Sequence, residues 1–244
     1  MSSTPRGQRT RRLIIERTAA VFDASGFAGA TLAQLVAATG LTRGAFYFHF
    51  DSKDALAEAI VQVQQERVLP IIDDLEASEA DPMRRLVLLS LRAAELFVGD
   101  QVVRAGSRLM TERSLIRREL WISYPWWVTT VTRLLTEARA DLADFSTLPS
   151  SEWPSTTADA ATRETVALAE HLLASWTGIY QLANAGRLSE MPDRWRAFWM
   201  FSLRRLCRDP DRCENLALFA DELADQLRDT AGRAAEPPVV ASSG

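Results

Sequence analysis

The chain has 244 residues, 47% of them hydrophobic and 25% charged, the balance of an ordinary globular protein with room for a sizeable core. No run of eighteen apolar residues occurs, and the polar, basic start from Met1 to Arg12 leads into no apolar signal core; neither a membrane span nor an export signal is expected, and the expected location is the cytoplasm. The net charge of -4 is uneven, with six basic against two acidic residues in the first 50 and 22 against 30 in the remainder, so a small basic head precedes an acidic body.

Almost every segment carries helical rather than strand periodicity. The first helix is expected from Gln8 to Ser25, with Gly26 as its stop. A short second helix runs from Leu32 to Thr39, where Thr31 and Gln34 have the spacing of a capping box. Gly40 supplies a turn and Thr42 caps a third helix from Arg43 to His49. A long fourth helix is expected from Ser52 to about Glu76, then helices over Pro82 to Val98, Gln101 to Thr111 and Ile116 to Ala143. Asp144 to Asp159, rich in Ser, Thr and Pro, reads as a loop. Apolar helices over Ala160 to Ala185 and Pro192 to Leu206 follow, then a last one from Arg212 to Arg228. The tail, 231–244, contains Pro237-Pro238 and is expected to be disordered. The fold class is all-α.

Two cysteines, Cys207 and Cys213, supply neither a disulfide framework nor a four-ligand zinc site; they flank a polar turn and read as reduced structural thiols. No cofactor and no metal are expected.

Two short helices joined by a glycine turn, behind a basic amphipathic helix, fit a helix-turn-helix. In such a unit one helix braces on the DNA backbone while the next presents its N-terminal side chains to the major groove. Arg43 suits a bidentate pair with guanine, and Gly44 and Ala45 permit close approach to bases. Thr42, Tyr47 and His49 suit phosphate or base contacts, whereas Phe46 and Phe50 suit the head's own core. Lys53, the chain's only lysine, stands in the first turn of the fourth helix, where the helix dipole disfavours a cation; a DNA phosphate would offset the cost, and a solvated surface lysine with a small penalty is the equal alternative. The expected DNA contacts are Thr31, Gln34, Thr42, Arg43, Gly44, Ala45, Tyr47, His49 and Lys53.

The stretch from Thr31 to Phe50, followed by Ser52-Lys53-Asp54-Ala55-Leu56, resembles the DNA-binding head of TetR-family repressors, and the resemblance spans about Arg12 to Ala59. Within that family Tyr47-Phe48-His49-Phe50 is similar to the γ-butyrolactone receptors. The resemblance implies a DNA-binding domain over 1–52, a helical ligand-binding and dimerisation domain over 53–230, a homodimer on double-stranded operator DNA, and release by a small-molecule inducer.

The body's sensing residues have to be argued from the residues themselves. Gln64 interrupts the apolar stripe of Leu56, Ile60, Val68 and Ile71, and if buried it needs a partner, whether backbone, water or ligand. Trp126 and Trp127 follow Pro125 in a segment that resembles the pocket region of the γ-butyrolactone receptors, and Trp176 with Thr177 resembles a pocket-lining helix there. Tyr180 lies on the same stripe as Thr177, whose hydroxyl can also satisfy itself on its own helix. Trp195, Phe198 and Trp199 suit either a dimer interface or the core of one chain.

Three other functions are weighed. An enzyme would have to draw on His49 and His171, which keep no recognisable spacing with a nucleophile or metal cluster. An architectural DNA-binding protein would favour positive charge throughout, against the acidic body found here. A drug-sensing repressor of an efflux pump keeps the same fold and changes only the signal.

Overall fold

A computed structural model describes residues 5–71, 74–75, 79–118, 120, 124–144 and 160–235. Its helices are α1 (Pro5–Gly29), α2 (Leu32–Thr39), α3 (Arg43–His49), α4 (Lys53–Val68), α5 (Pro82–Gly99), α6 (Gln101–Thr111), α7 (Tyr124–Glu137), α8 (Ala160–Leu182), α9 (Met191–Leu206) and α10 (Pro210–Ala235). Among the described residues there is no strand beyond an isolated antiparallel bridge between Leu142 and Cys207.

Short polar side chains set the helix starts by accepting otherwise unpaired backbone N–H groups. At α2 the capping box closes fully: the Gln34 N–H donates to Thr31 Oγ1 at 3.3 Å and the Thr31 N–H to Gln34 Oε1 at 2.9 Å. Thr42 accepts from Ala45 at α3 and Ser52 from Ala55 at α4. Asp81 and Asp100 do the same for α5 and α6. Gly40, at φ 70°, makes the turn between α2 and α3.

Prolines explain the main departures from the expected boundaries. α4 ends at Val68 with a turn at Leu69, because Pro70 has no N–H to extend the ladder, but Pro70, Ile71, Asp74 and Leu75 are helical again, short of the expected end near Glu76. No helix spans Ile116 to Ala143; a 3-10 turn (Arg113–Leu115) comes first, and α7 starts only at Tyr124, with Pro125 in its first turn where a proline is tolerated. α1 does break at Gly26, at φ 67°, but a further turn carries it on to Gly29. α10 continues through Ala235, so 231–235 is helical and not the disordered tail expected; Ala231, Ala234 and Ala235 are good helix formers. The expected loop lies, from residue 145, outside the described residues, as do 236–244.

The chain divides into two compact units. The first comprises Met1–Pro70 and Asp100–Ile122, and so contains the head, α4 and also α6. It runs well past residue 52 because α1 and α4 both pack along α6. Its core joins Ile14, Phe22, Leu35 and Phe46 to Leu56 and Leu109.

The second unit comprises Ile71–Gly99 and Ser123–Gly244, with α5, α7, α8, α9 and α10. Ser90 on α5 is its polar pivot: buried, it donates to the Val87 carbonyl and accepts the indole N–H groups of Trp195 at 3.1 Å and Trp199 at 2.8 Å. Both tryptophans thus complete the core of this unit instead of offering an interface. At the α9–α10 turn Arg212 ties Asp81 to Asp141.

Candidate nucleic-acid interface and sensing residues

α3 is held by its buried side, where Phe46 and Phe50 sit in the core of the first unit, as their spacing predicts. Its other side carries Arg43, Gly44, Ala45 and Phe48, all exposed, with Thr42 at its cap and Tyr47 and His49 at the margins. The Arg43 guanidinium lies over the Tyr47 ring at 5.6 Å, and the His49 and Phe48 rings meet edge to face at 5.3 Å. Arg11 of α1 donates to the His49 carbonyl at 3.2 Å and covers the Phe50 ring at 4.2 Å, which fastens the end of α3 to the basic first helix. Arg6, Arg9, Arg12 and Arg17 are exposed along α1. A Cβ added at Gly44 would meet nothing within 4 Å, so the fold itself does not require glycine there.

Thr31 and Gln34 are engaged with each other, the Thr31 hydroxyl donating to Gln34 Oε1 at 2.7 Å, which leaves the Gln34 amide nitrogen as that side chain's donor. Lys53 has a role within the fold that its position in the sequence did not suggest. Its ammonium donates to the carbonyls of Phe27 at 2.5 Å and Ala30 at 2.9 Å and lies 4.2 Å from the Phe27 ring centre. The cation at this helix start is therefore offset by the α1–α2 turn, and Lys53 braces that turn with two of its three ammonium donors.

The same turn is gripped from its other side by Glu112, which the sequence did not single out. Its carboxylate accepts the Phe27 N–H at 2.8 Å and the Ala28 N–H at 3.1 Å, capping the helix where Gly26 breaks it. Arg108 supports this from α6 by donating to the Asp23 and Ala24 carbonyls, and Arg104 pairs with Asp23 at 3.0 Å. Nothing local signals these partners, which lie 81 to 85 residues apart.

Two concavities open on this unit. One of about 720 Å³ lies between α1 and α4, with Arg11, Arg12 and Arg67 on its rim. The other, about 350 Å³, adjoins α3 and is lined by Tyr47, Phe48, His49 and Arg118 among others. Neither is lined by any of the six expected sensing residues.

Gln64, on α4, belongs to the first unit. Its Oε1 is buried without a hydrogen-bond partner beside Gly106 of α6, where an added Cβ would stand 2.7 Å from the Gln64 Cβ. The other five sensing candidates belong to the second unit. Trp126 and Trp127 are half-buried on α7 with rings edge to face at 5.1 Å. On α8, which packs against α7, Trp176 is buried against Phe198 and Trp199, and its indole N–H has no acceptor. Tyr180 stacks on Phe97 at 4.8 Å, and burial holds its hydroxyl well above the ordinary tyrosine pKa. Thr177 is exposed and donates to the Leu173 carbonyl at 2.8 Å, so its hydroxyl is satisfied within α8. Sequence reading missed Thr132 on α7 and Asn184 in the π-turn after α8, whose buried polar atoms also lack partners. Such atoms in native proteins call for a water or a ligand.

Cys207 and Cys213 are free thiols, and burial pushes Cys207 up to about 12, with Cys213 beside it adding to the shift; the thiolate needed for redox chemistry is disfavoured. Among the described residues no group of acidic, His or Cys side chains is arranged to hold a metal, and no helix is long and apolar enough to cross a membrane.

The geometry defines an all-α fold with a capped helix-turn-helix behind a basic first helix, and the comparison with known families places it more closely. Residues 14–60 match the family model of bacterial regulatory proteins, tetR family, and the head of this chain is a tetR-family N-terminal domain. The chain is 31% identical to the A-factor receptor protein of Streptomyces griseus over 137 residues, which cover 55% of this chain and 46% of that protein. It is 38% identical to the HTH-type transcriptional regulator TtgR of Pseudomonas putida over 85 residues, 33% of this chain and 40% of that one. The chain thus spans less than two thirds of the length of these curated relatives. Solved structures extend the likeness along the chain. A γ-butyrolactone receptor (ArpA-like protein) superimposes with a TM-score of 0.71 at 27% identity, covering 91% of this chain and 99% of that one. CprB from Streptomyces coelicolor, in complex with its biological operator sequence, gives 0.73 at 27% identity over 90% and 98%.

Proposed function

We propose that this protein is a dimeric transcriptional repressor that binds operator DNA through α3 and is released by a small signalling molecule of the γ-butyrolactone, butenolide or furan type, controlling antibiotic or other secondary-metabolite genes. The observation that carries this reading is the exposed face of α3, fixed by caps and a buried aromatic side, on a chain with the fold of the γ-butyrolactone receptors along nine tenths of its length. The site of action is the bacterial cytoplasm, where operator DNA lies.

DNA reading is assigned to residues 1–52 and sensing with dimerisation to 53–230. Arg43 pairs with guanine, Gly44 and Ala45 let the helix approach the base edges, and Thr42, Tyr47 and His49 hold phosphates. Thr31 and Gln34 present the start of α2 to the backbone. The inducer is taken by Trp126, Trp127, Trp176 and Tyr180, with the unpaired Trp176 N–H as a donor to a ligand carbonyl. The dimer forms on α9 and α10, where Phe201 is 71% and Leu218 57% exposed. Release follows if the ligand favours a state in which α4 and α6, packed tightly at Gln64 and Gly106, move the α1–α2 turn through Lys53 and Glu112.

The test is a mobility shift with promoter DNA from beside the protein's own gene, with and without a synthetic γ-butyrolactone. Release of DNA by the lactone, lost in Trp127→Ala while DNA binding persists, supports the reading. A lactone-insensitive complex removes the ligand assignment, and unchanged induction in Trp127→Ala removes that residue from the pocket.

A further inference from the structure

Phe48 has no place in the list of DNA contacts drawn from the sequence, and its setting is peculiar. It is 84% exposed, the most exposed of the large apolar side chains described. It stands two residues from each of the buried Phe46 and Phe50, so it points from roughly the opposite side of α3. Gly44 and Ala45 precede it by four and three residues, on the same face. Its ring is braced edge to face by the His49 imidazole at 5.3 Å. An exposed phenyl ring thus occupies the middle of the surface that Arg43, Tyr47 and His49 surround with polar groups.

We propose that Phe48 is a specificity-determining residue that reads a thymine methyl group in the major groove; the inference rests on the DNA-binding role of α3 given above. The chemistry narrows the partner. A phenyl ring can neither donate nor accept a conventional hydrogen bond, so it cannot distinguish the nitrogen and oxygen atoms of base edges. Thymine alone among the four bases offers an apolar group there, its 5-methyl, and aromatic contact with that methyl is an established mode of readout. The low floor formed by Gly44 and Ala45 lets the helix settle until the ring reaches the base edge. Removing the ring from water on binding also relieves the cost of leaving it exposed.

The experiment uses the full-length protein and a duplex selected by it from a random pool. Each thymine of the bound sequence is replaced in turn by deoxyuridine, which removes only the methyl. Wild type is expected to lose about fourfold in affinity at one position of each half-site, the worth of one buried methyl group. Phe48→Ala is expected to bind thymine and uracil equally at that position, while Phe48→Leu, still apolar, keeps part of the preference. Equal binding by wild type at every position overturns the inference, as does an undiminished thymine preference in Phe48→Ala. Failure to select any duplex overturns the DNA-binding reading as well, whereas selection without a methyl effect overturns this inference alone.

Discussion

Glu112 and Phe27, 85 residues apart in the chain, are joined by a 2.8 Å hydrogen bond from the Phe27 backbone N–H to the Glu112 carboxylate. The bond falls where α1 breaks at Gly26, and Lys53 holds the Phe27 carbonyl from the other side. One residue of the turn before α2 is therefore fixed from α4 and from the end of α6 together. The orientation of the helix-turn-helix depends on both.

Glu112→Ala leaves the N–H groups of Phe27 and Ala28 without their acceptor, at a cost of about 1–3 kcal/mol. Gly26→Ala is expected to cost at least as much, because φ there is 67° and the added Cβ would lie 2.1 Å from Glu112 Oε1. Urea denaturation checks both; unchanged midpoints would show that the clamp does not hold the turn.

Gly44→Ala separates folding from recognition. The new methyl meets nothing within 4 Å and the residue lies in ordinary helix, so stability should hold or rise, by up to about 1 kcal/mol. Operator affinity is expected to fall tenfold or more, since the methyl occupies space reserved for the base edges. Equal affinity by fluorescence anisotropy would move the DNA-facing surface off this side of α3.

Ser90→Ala removes the acceptor shared by two buried indoles and strands both N–H groups, for a loss of about 2–4 kcal/mol. The near-ultraviolet circular dichroism of the tryptophans should change with it. A stability close to wild type would mean that the indoles find other acceptors.

How far these features were legible depends on sequence separation. The α2 capping box and the α3 cap were readable because Thr31 with Gln34, and Thr42, act within one turn of their own helix. The burial of Phe46 and Phe50 followed from helical spacing. Lys53 was legible as an unusual cation but not as a brace, because its acceptors lie 23 and 26 residues upstream in a turn whose shape depends on Gly26. The role of α6 in the head's unit was invisible for the same reason, its partners in α1 being more than 80 residues away. Trp195 and Trp199 read equally as interface or core until Ser90, more than 100 residues before them, was seen to accept both. The helix expected over Ile116 to Ala143 failed on local grounds that periodicity outweighed, namely Pro125.

The Asp81–Arg212 pair sets an acid dependence. Burial works to raise the Asp81 pKa, but the hydrogen bonds from Arg212 and from the backbone of Arg84 and Met83, with the charge of Arg212, hold it below the ordinary carboxylate value. A carboxylate depressed in the folded state stabilises the fold above its unfolded pKa, about 4, and loses that contribution as pH falls through the folded pKa. Arg212→Met should therefore be less stable than wild type at pH 7, with the difference shrinking below about pH 4. A gap that is constant from pH 7 to pH 3 would assign the loss to packing instead.

Whether α3 of this chain reads operator DNA is decided by selecting duplexes from a random pool with the full-length protein, in parallel with Arg43→Ala. The expected result is enrichment of a two-fold symmetric sequence, its half-sites separated by about one helical turn or a multiple of it, and loss of the preference for guanine at one position of each half when Arg43 is replaced. Absence of enrichment, or an Arg43→Ala protein that selects the same sequence with the same preference at every position, would contradict DNA reading by α3.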